Sequence, residues 1–294
     1  MTMNADDAGT TPTPVESVLE QHILDIDIPP RPAILADVQA EMAHDDPDFH
    51  RLESLISADV ALAAGLVKTV NSPFFGLNRR ASTVHDALMM LGLATTCRAV
   101  AAFSLKRAFP DSGHFERFWD SSAKVAGLSG WLTKRMGSLK IRADEAYTYG
   151  LFRDCGVVIL MRRFTSYQAT LKAANSELEA SFTDVERRHL PTDHTVIGRL
   201  MAQNWWLPDV LCEAIRCHHD KSYLEGPDTV LNRASRQLIA VSQLAEYLLQ
   251  KTTGAAQTCE WQKLGSACMN VLDLSASDLT TLQAEAGAQV GSIV

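Results

Sequence analysis

Residues 59–92 read DVALAAGLVKTVNSPFFGLNRRASTVHDALMMLG. Asp59 has the side chain of a helix N-cap, and Leu62, Leu66, Val67 and Val70 recur on one side of the helix that follows. Asn71-Ser72-Pro73 stops it, because proline lacks an N–H and disfavours helix at the preceding residue. Thr83-Val84-His85-Asp86 has capping-box spacing, with Asp where Glu or Gln is preferred. It opens a second short helix with Val84, Ala87, Leu88 and Leu91 inward, and Gly92 is placed to end it. Short capped helices joined by tight turns predict helix packed on helix.

The same periodicity extends both ways. Upstream, Pro29, Pro30 and Pro32 form a stiff entry, with Pro32 suited to a first helical turn, and Phe49, Leu52, Leu55 and Ile56 share one helix face. Downstream, residues 95–106 are Ala-rich and helical, and Pro110-Asp111-Ser112-Gly113 marks a break read as a domain boundary. Helices are expected near 115–136, where Ser122, Ala126 and Ser129 suggest a closely packed face, and at 150–160, 194–206, 231–250 and 277–289. Pro208 starts another that reaches His218-His219, and Thr183-x-x-Glu186 reads as a further cap. No run alternates as a half-buried strand does, so the fold class is all-α.

Composition bounds the function. Of 294 residues, 46% are hydrophobic and 21% charged, which fits a globular chain rather than a disordered one. A net charge of −8 and a pI near 5.6 argue against a general nucleic-acid binder. The apolar run at 60–67 is far too short to span a membrane, and the acidic start, MTMNADDAGTTPTP, lacks the features of a signal peptide. A cytoplasmic location is expected. Six cysteines show no CxxC pair, and Cys212 and Cys217 fit no common zinc spacing, so reduced thiols packed as small apolar residues are expected.

The polar residues that call for a reason are Asp154, Glu186, His189, His194, His218 and His219. Helices of a bundle can bring such groups to one site, as metal-binding bundles do. Glu186 and His189 have i, i+3 spacing, but His189 lies just before Pro191, where the helix should end, and is expected to face solvent. Asp154 reads either as a carboxylate paired with Arg153, Arg162 or a helix N-terminus, or as a metal ligand. His218-His219 reads either as a cap on a helix C-terminus or as metal ligands.

Several stretches resemble the HDOD domain, the HD-related output domain of bacterial signalling proteins. They are Ile28-Pro29-Pro30-Arg31-Pro32, Ile56-Ser57-Ala58-Asp59-Val60-Ala61-Leu62, Val70-Asn71-Ser72-Pro73-Phe74-Phe75-Gly76 and Ala87-Leu88-Met89-Met90-Leu91-Gly92. Asp193-His194-x-x-x-Gly198, Trp206-Leu207-Pro208 and Ala214-Ile215-x-x-His218-His219 are similar to the back half of the HD superfamily. The resemblance spans about residues 20–250. Residues 1–16, with Gly, Thr, Pro and acids but no apolar periodicity, read as a disordered leader. The break at 110–113 together with the resemblance divides the rest into an N-terminal lobe at 17–110, an HD-like lobe at 111–252 and a helical C-terminal extension at 253–294 packed on the module.

In catalytic relatives a His-Asp doublet and further histidines hold one or two metals. The doublet here matches Leu151-Phe152-Arg153-Asp154-Cys155-Gly156-Val157, with Arg153 in the histidine position. Arginine stays charged and cannot ligate metal. The earlier histidine, expected near Trp119, falls at Ser121 or Ser122, and the late Asp is best matched by Glu246. Asp154, His194, His218, His219 and Glu246 are therefore a remnant of the metal site, and Asp154, His194 and His218 leave room for one weakly bound divalent metal. No cofactor is otherwise expected.

The resemblance implies a signalling module that acts through protein contacts, with partners in a two-component or cyclic-dinucleotide pathway and neither nucleic acid nor membrane. The rival reading is a divergent metal-dependent phosphohydrolase. A third is a nucleotide or cyclic-dinucleotide sensor using Arg153, Arg162 and Arg163 for phosphate, against the simpler reading of these arginines as a solvated helix face. Phe74 and Phe75, beside Arg79 and Arg80, read either as core plugs of the turn or as a partner surface.

Overall fold

Helix follows helix throughout, and each start has a local cause. In the computed structural model the described residues are 26–71, 79–109, 115–254 and 257–292, and no strand occurs among them. The first group is α1 (Ala33–Met42), α2 (Phe49–Ser57), α3 (Val60–Val70), α4 (Val84–Leu91) and α5 (Leu93–Ala108). The Asp59 carboxylate accepts the Leu62 N–H at 3.0 Å to start α3. Both halves of the Thr83/Asp86 capping box are formed at the start of α4. Gly92, at φ +73°, turns α4 directly into α5, a conformation that L side chains rarely adopt.

Asn71 does more than stop α3. Its side-chain amide donates to the Ala81 carbonyl and its oxygen accepts the Ala81 N–H, each at 2.8 Å. One side chain thus clamps the two ends of the connection to α4. Phe74 and Phe75 lie outside the described residues, as does the proposed boundary at 110–113. Arg79 and Arg80 are exposed.

The second group comprises α6 (Glu116–Met136), α7 (Ala143–Phe152), α8 (Cys155–Arg163), α9 (Tyr167–Ser176), α10 (Phe182–His189), α11 (His194–Asn204), α12 (Asp209–Cys217) and α13 (Lys221–Glu225). Then come α14 (Arg233–Thr253), α15 (Glu260–Leu272) and α16 (Ala276–Ser292). Ser122, Ala126 and Ser129 are buried on α6. A Cβ at Gly150 would come within 2.7 Å of the Ala126 backbone, so small residues let α6 and α7 nearly touch. Helix α14 is buried on most sides, from Leu238 through Ala245, and packs against α6, α7, α12, α15 and α16. Among the described residues one apolar core cluster takes members from Ile26 to Val290, and Ala174, Phe182 and Val185 form a second, smaller one.

Two expectations are corrected. The helix expected at 150–160 is two, α7 and α8, broken at Arg153-Asp154. The break sends these adjacent side chains in different directions, as described below. Thr183 is not a cap: Ser181 accepts the Asp184 N–H, which places Glu186 on the inward face of α10. Helix α15, unmarked by any start signal, joins the C-terminal part to the core.

The two groups are tied by polar contacts as well as packing. Trp205 is fully buried and its indole N–H donates to the Pro29 carbonyl, while Gln39 donates to the Trp205 carbonyl. Arg98 of α5 donates through Nε to Asp144 of α7 at 2.8 Å, and Arg142 donates to both Asp144 and Thr95. All six cysteines are free, and Cys155, Cys212, Cys217 and Cys268 are buried. No helix among the described residues is long and apolar enough to cross a membrane.

Burial raises the Asp144 pKa, but Arg98 and Arg142 outweigh it and hold it below 3.8. A depressed carboxylate pKa stabilises the fold above its unfolded value, and that stability is lost as pH falls through the folded value. Asp144→Asn should therefore cost about 1–3 kcal/mol near neutral pH, less than a fully buried pair because Asp144 keeps a water-facing edge. Urea unfolding of both proteins should show a constant gap above pH 4 that narrows below it. A gap independent of pH through the acid range would refute the assignment.

Candidate metal centre

The break between α7 and α8 creates the site. Arg153, 5% exposed, points toward α14: Nη2 lies 2.9 Å from Glu246 and Nη1 donates to Ser242 Oγ at 3.0 Å. Its Nε also donates to Asp154 Oδ2 at 2.9 Å. The other oxygen of Asp154 faces the histidines, 3.2 Å from His218 Nε2 and 3.7 Å from His194 Nε2. His194 and His218 approach to 3.3 Å through their Nε2 atoms. One ligand atom from each of Asp154, His194, His218 and His219 falls within 4.8 Å of the other three.

Each histidine is held from behind. His194 Nδ1 and its backbone N–H both meet Glu186 Oε2, at 2.8 and 3.2 Å, and the Tyr167 hydroxyl donates to the other Glu186 oxygen. His219 Nδ1 lies 2.5 Å from Glu260, which Lys263 also contacts. His218, the C-cap of α12, bonds through Nδ1 to the Ile215 carbonyl at 2.8 Å. It is thus both a helix cap and a member of the cluster. Outward carboxylate or carbonyl partners are what metal-binding histidines require to fix tautomer and ring orientation. Phe182 stacks on the His219 ring at 4.5 Å and meets His194 edge-on.

The Ile215 carbonyl can only accept, so Nδ1 of His218 carries the hydrogen and neutral His218 presents a lone pair at Nε2. That lone pair faces a carboxylate oxygen at 3.2 Å. Two acceptors so close need a positive charge between them, either a proton or a cation. The donor set, three imidazoles and one carboxylate, suits a borderline divalent ion, so these residues fit one metal.

Electrostatics keep the charges ordered. Burial pushes Asp154 up, but Arg153, His218 and His194 outweigh it and hold it well below the usual range. Burial opposes protonation of His194, yet Glu186, with Asp154 and Asp193, raises it to about 9. Burial and the neighbouring His219 push His218 down to about 3. Burial raises Glu246, with Arg153 opposing it.

Other sequence candidates lie elsewhere. His189, the last residue of α10, is exposed, whereas Glu186 is buried. Ser121 and Ser122 line a cavity of about 500 Å³ onto which Asp154, His194, His219 and Glu246 open. Arg153 is locked in its ion pairs, Arg162 lies 4.0 Å from Asp27, and Arg163 is exposed near the Phe164 ring, so the three form no common cradle. Sequence reading missed Tyr167, Glu260 and Lys263. Glu186 had a usable signal: Ser181-x-x-Asp184 has capping spacing, which puts Phe182, Val185 and Glu186 on the inward face.

An all-helical module with a His/Asp cluster between its helices defines an HD-type protein. The HDOD domain profile matches residues 28–221, and the chain belongs to that family. An uncharacterized Treponema pallidum (strain Nichols) protein is 28% identical over 202 residues, which cover 66% of this chain and 38% of that protein's length. A candidate phosphohydrolase from Shewanella amazonensis SB2B has the same fold, with a TM-score of 0.68 at 21% identity over 94% of this chain and 97% of its own. An HDOD domain protein of unknown function from Geobacter sulfurreducens gives 0.65 at 20% identity, covering 95% and 97%. A candidate signal transduction protein from Marinobacter aquaeolei VT8 gives 0.58 at 21%, covering 96% and 62%.

Gly156 sets the distance between α8 and α11. A Cβ there would lie 2.0 Å from the His194 carbonyl oxygen and 2.9 Å from the Gly198 nitrogen. Gly156→Ala should cost about 3 kcal/mol in chemical unfolding and displace the His194 imidazole resonance in NMR spectra. An unchanged midpoint would show that the helices can separate freely.

Proposed function

We propose that this chain is a regulatory module of bacterial signal transduction that acts through protein contacts, holds a single divalent cation and does not hydrolyse phosphodiesters. The observation that carries this reading is the buried Arg153 guanidinium, bonded at once to Asp154 and Glu246. It engages both carboxylates that the family resemblance assigns to the metal site and places a permanent cation where a second metal would sit. Like charges at that separation repel strongly in a buried site.

Asp154, His194, His218 and His219 would hold the single metal, which could polarise a bound oxygen ligand. The protein's own groups do the rest. Glu186, Glu260 and the Ile215 carbonyl aim the imidazoles, and Phe182 excludes water from two of them. Ser121 and Ser122 supply no imidazole on the opposite wall. The resemblance and the fold support a role in signalling contacts, for which Phe74, Phe75, Arg79 and Arg80 are the proposed residues.

The hydrolase reading draws on the cavity beside the cluster, which also carries Lys124, Gln168 and Asn175. One experiment separates the two. Protein purified without chelator should carry no more than one divalent metal per chain by elemental analysis and should turn over no member of a phosphodiester panel. Arg153→His alone should not create activity. Two metals per chain, or turnover that Asp154→Ala abolishes, would establish the hydrolase.

A further inference from the structure

A second, larger cavity of about 1070 Å³ lies away from the histidines, between α3 and α5 on one side and α6 and α7 on the other. Its walls are aromatic: Phe103 packs against α3 so closely that a Cβ at Gly65 would overlap its ring, and Trp119 and Tyr147 face it from α6 and α7. Its lining includes five cations, Lys68, Arg98, Lys106, Arg107 and Arg117, against three carboxylates. Arg98 is neutralised by Asp144 and Arg107 by Asp59. Asp120 is held by Lys124. Lys68, Lys106 and Arg117 have no ion pair among the described residues, nor has Glu116, which leaves three cations against one carboxylate.

We propose that this cavity binds a nucleotide, with the base against the aromatic walls and the phosphates on Lys68, Lys106 and Arg117. In a chain of net charge −8, uncompensated cations gathered around one hollow mark an anion's place. Planar rings beside them call for a ligand with a flat apolar part, which a bare phosphate lacks. The volume lies at the upper end for small-molecule sites and accommodates a dinucleotide, and a cavity between two packed groups of helices is where such sites form. Arg117 and Asp120 line this cavity and the one at the histidines, so a ligand here touches a wall common to both. The inference does not depend on how the histidine cluster is used.

Calorimetric titration of the full chain with AMP, GMP and cyclic di-GMP tests it, with inorganic phosphate and the free nucleosides as separate arms. At least one nucleotide should bind saturably at one site, and phosphate or nucleoside alone should bind about tenfold or more weakly. Lys68 and Lys106 are exposed, so Lys68→Glu with Lys106→Glu should keep the thermal melt while weakening binding about tenfold or more. Asp154→Asn, which keeps an oxygen for Arg153, should keep the thermal melt and leave the affinity unchanged, which separates this site from the metal centre. The proposal is overturned if no nucleotide binds saturably, if phosphate binds as well as the nucleotides, or if the lysine pair has no effect. Loss of binding in folded Asp154→Asn would overturn it too, by placing the ligand at the histidines.

Discussion

A guanidinium that is 5% exposed must find its counter-charges and acceptors inside the protein, because Arg153 cannot shed its proton. Asp154, Glu246 and Ser242 meet that demand from three directions. To do so the chain breaks between α7 and α8, and α14 must lie close enough to offer Glu246. The geometry of the histidine cluster follows from the same contact. One oxygen of Asp154 is committed to Arg153, and only the other is left to face His194 and His218.

The cluster is costly to bury, and its surroundings are arranged to offset that cost. Glu186 is fully buried but accepts from the His194 ring, the His194 backbone and Tyr167. Glu260 is buried beside His219 and Lys263, which overcome burial and hold its carboxyl down at about 2. Buried polar networks stabilise only when their members are satisfied. At the centre the His218 lone pair and the Asp154 oxygen converge, and the His194 ring, raised to about 9 and with its Nε2 3.3 Å from His218 and 3.7 Å from Asp154, supplies the positive charge between them. A divalent cation at this point would take the place of that proton, with Glu186 and Glu260 already holding two of the imidazoles in position.

How much of this could be read from sequence differs by mechanism. Helix starts whose signal is a single side chain were legible: Asp59, the Thr83/Asp86 box and Pro208 all sit where their chemistry predicts. The break at Arg153-Asp154 was not, because periodicity runs through both helices and only the ion pair to a residue 93 positions on explains it. Asp154, His194, His218 and His219 stood out in the sequence beside Glu186 and His189, and it was the family resemblance that singled out those four with Glu246 as a remnant metal site. Glu260 and Lys263 were invisible for a related reason. They lie on α15, beyond the matched residues 28–221, in a helix with no side-chain cap to announce it.

That last point changes how the C-terminal part is understood. The family profile ends at residue 221, yet His219 takes its orienting carboxylate from residue 260. Without Glu260 the His219 ring would keep its Phe182 stack but lose the bond that fixes which nitrogen carries the hydrogen. Glu246, which shares Arg153 with Asp154, also lies past the matched span. Helices α14 and α15 are therefore part of the site, since they carry two of the carboxylates that fix its charge and tautomers. A fragment cut at the end of the family match would leave Arg153 without Glu246 and His219 without Glu260. Each loss strands a buried polar group, so the cluster and the fold around it depend on the same C-terminal helices.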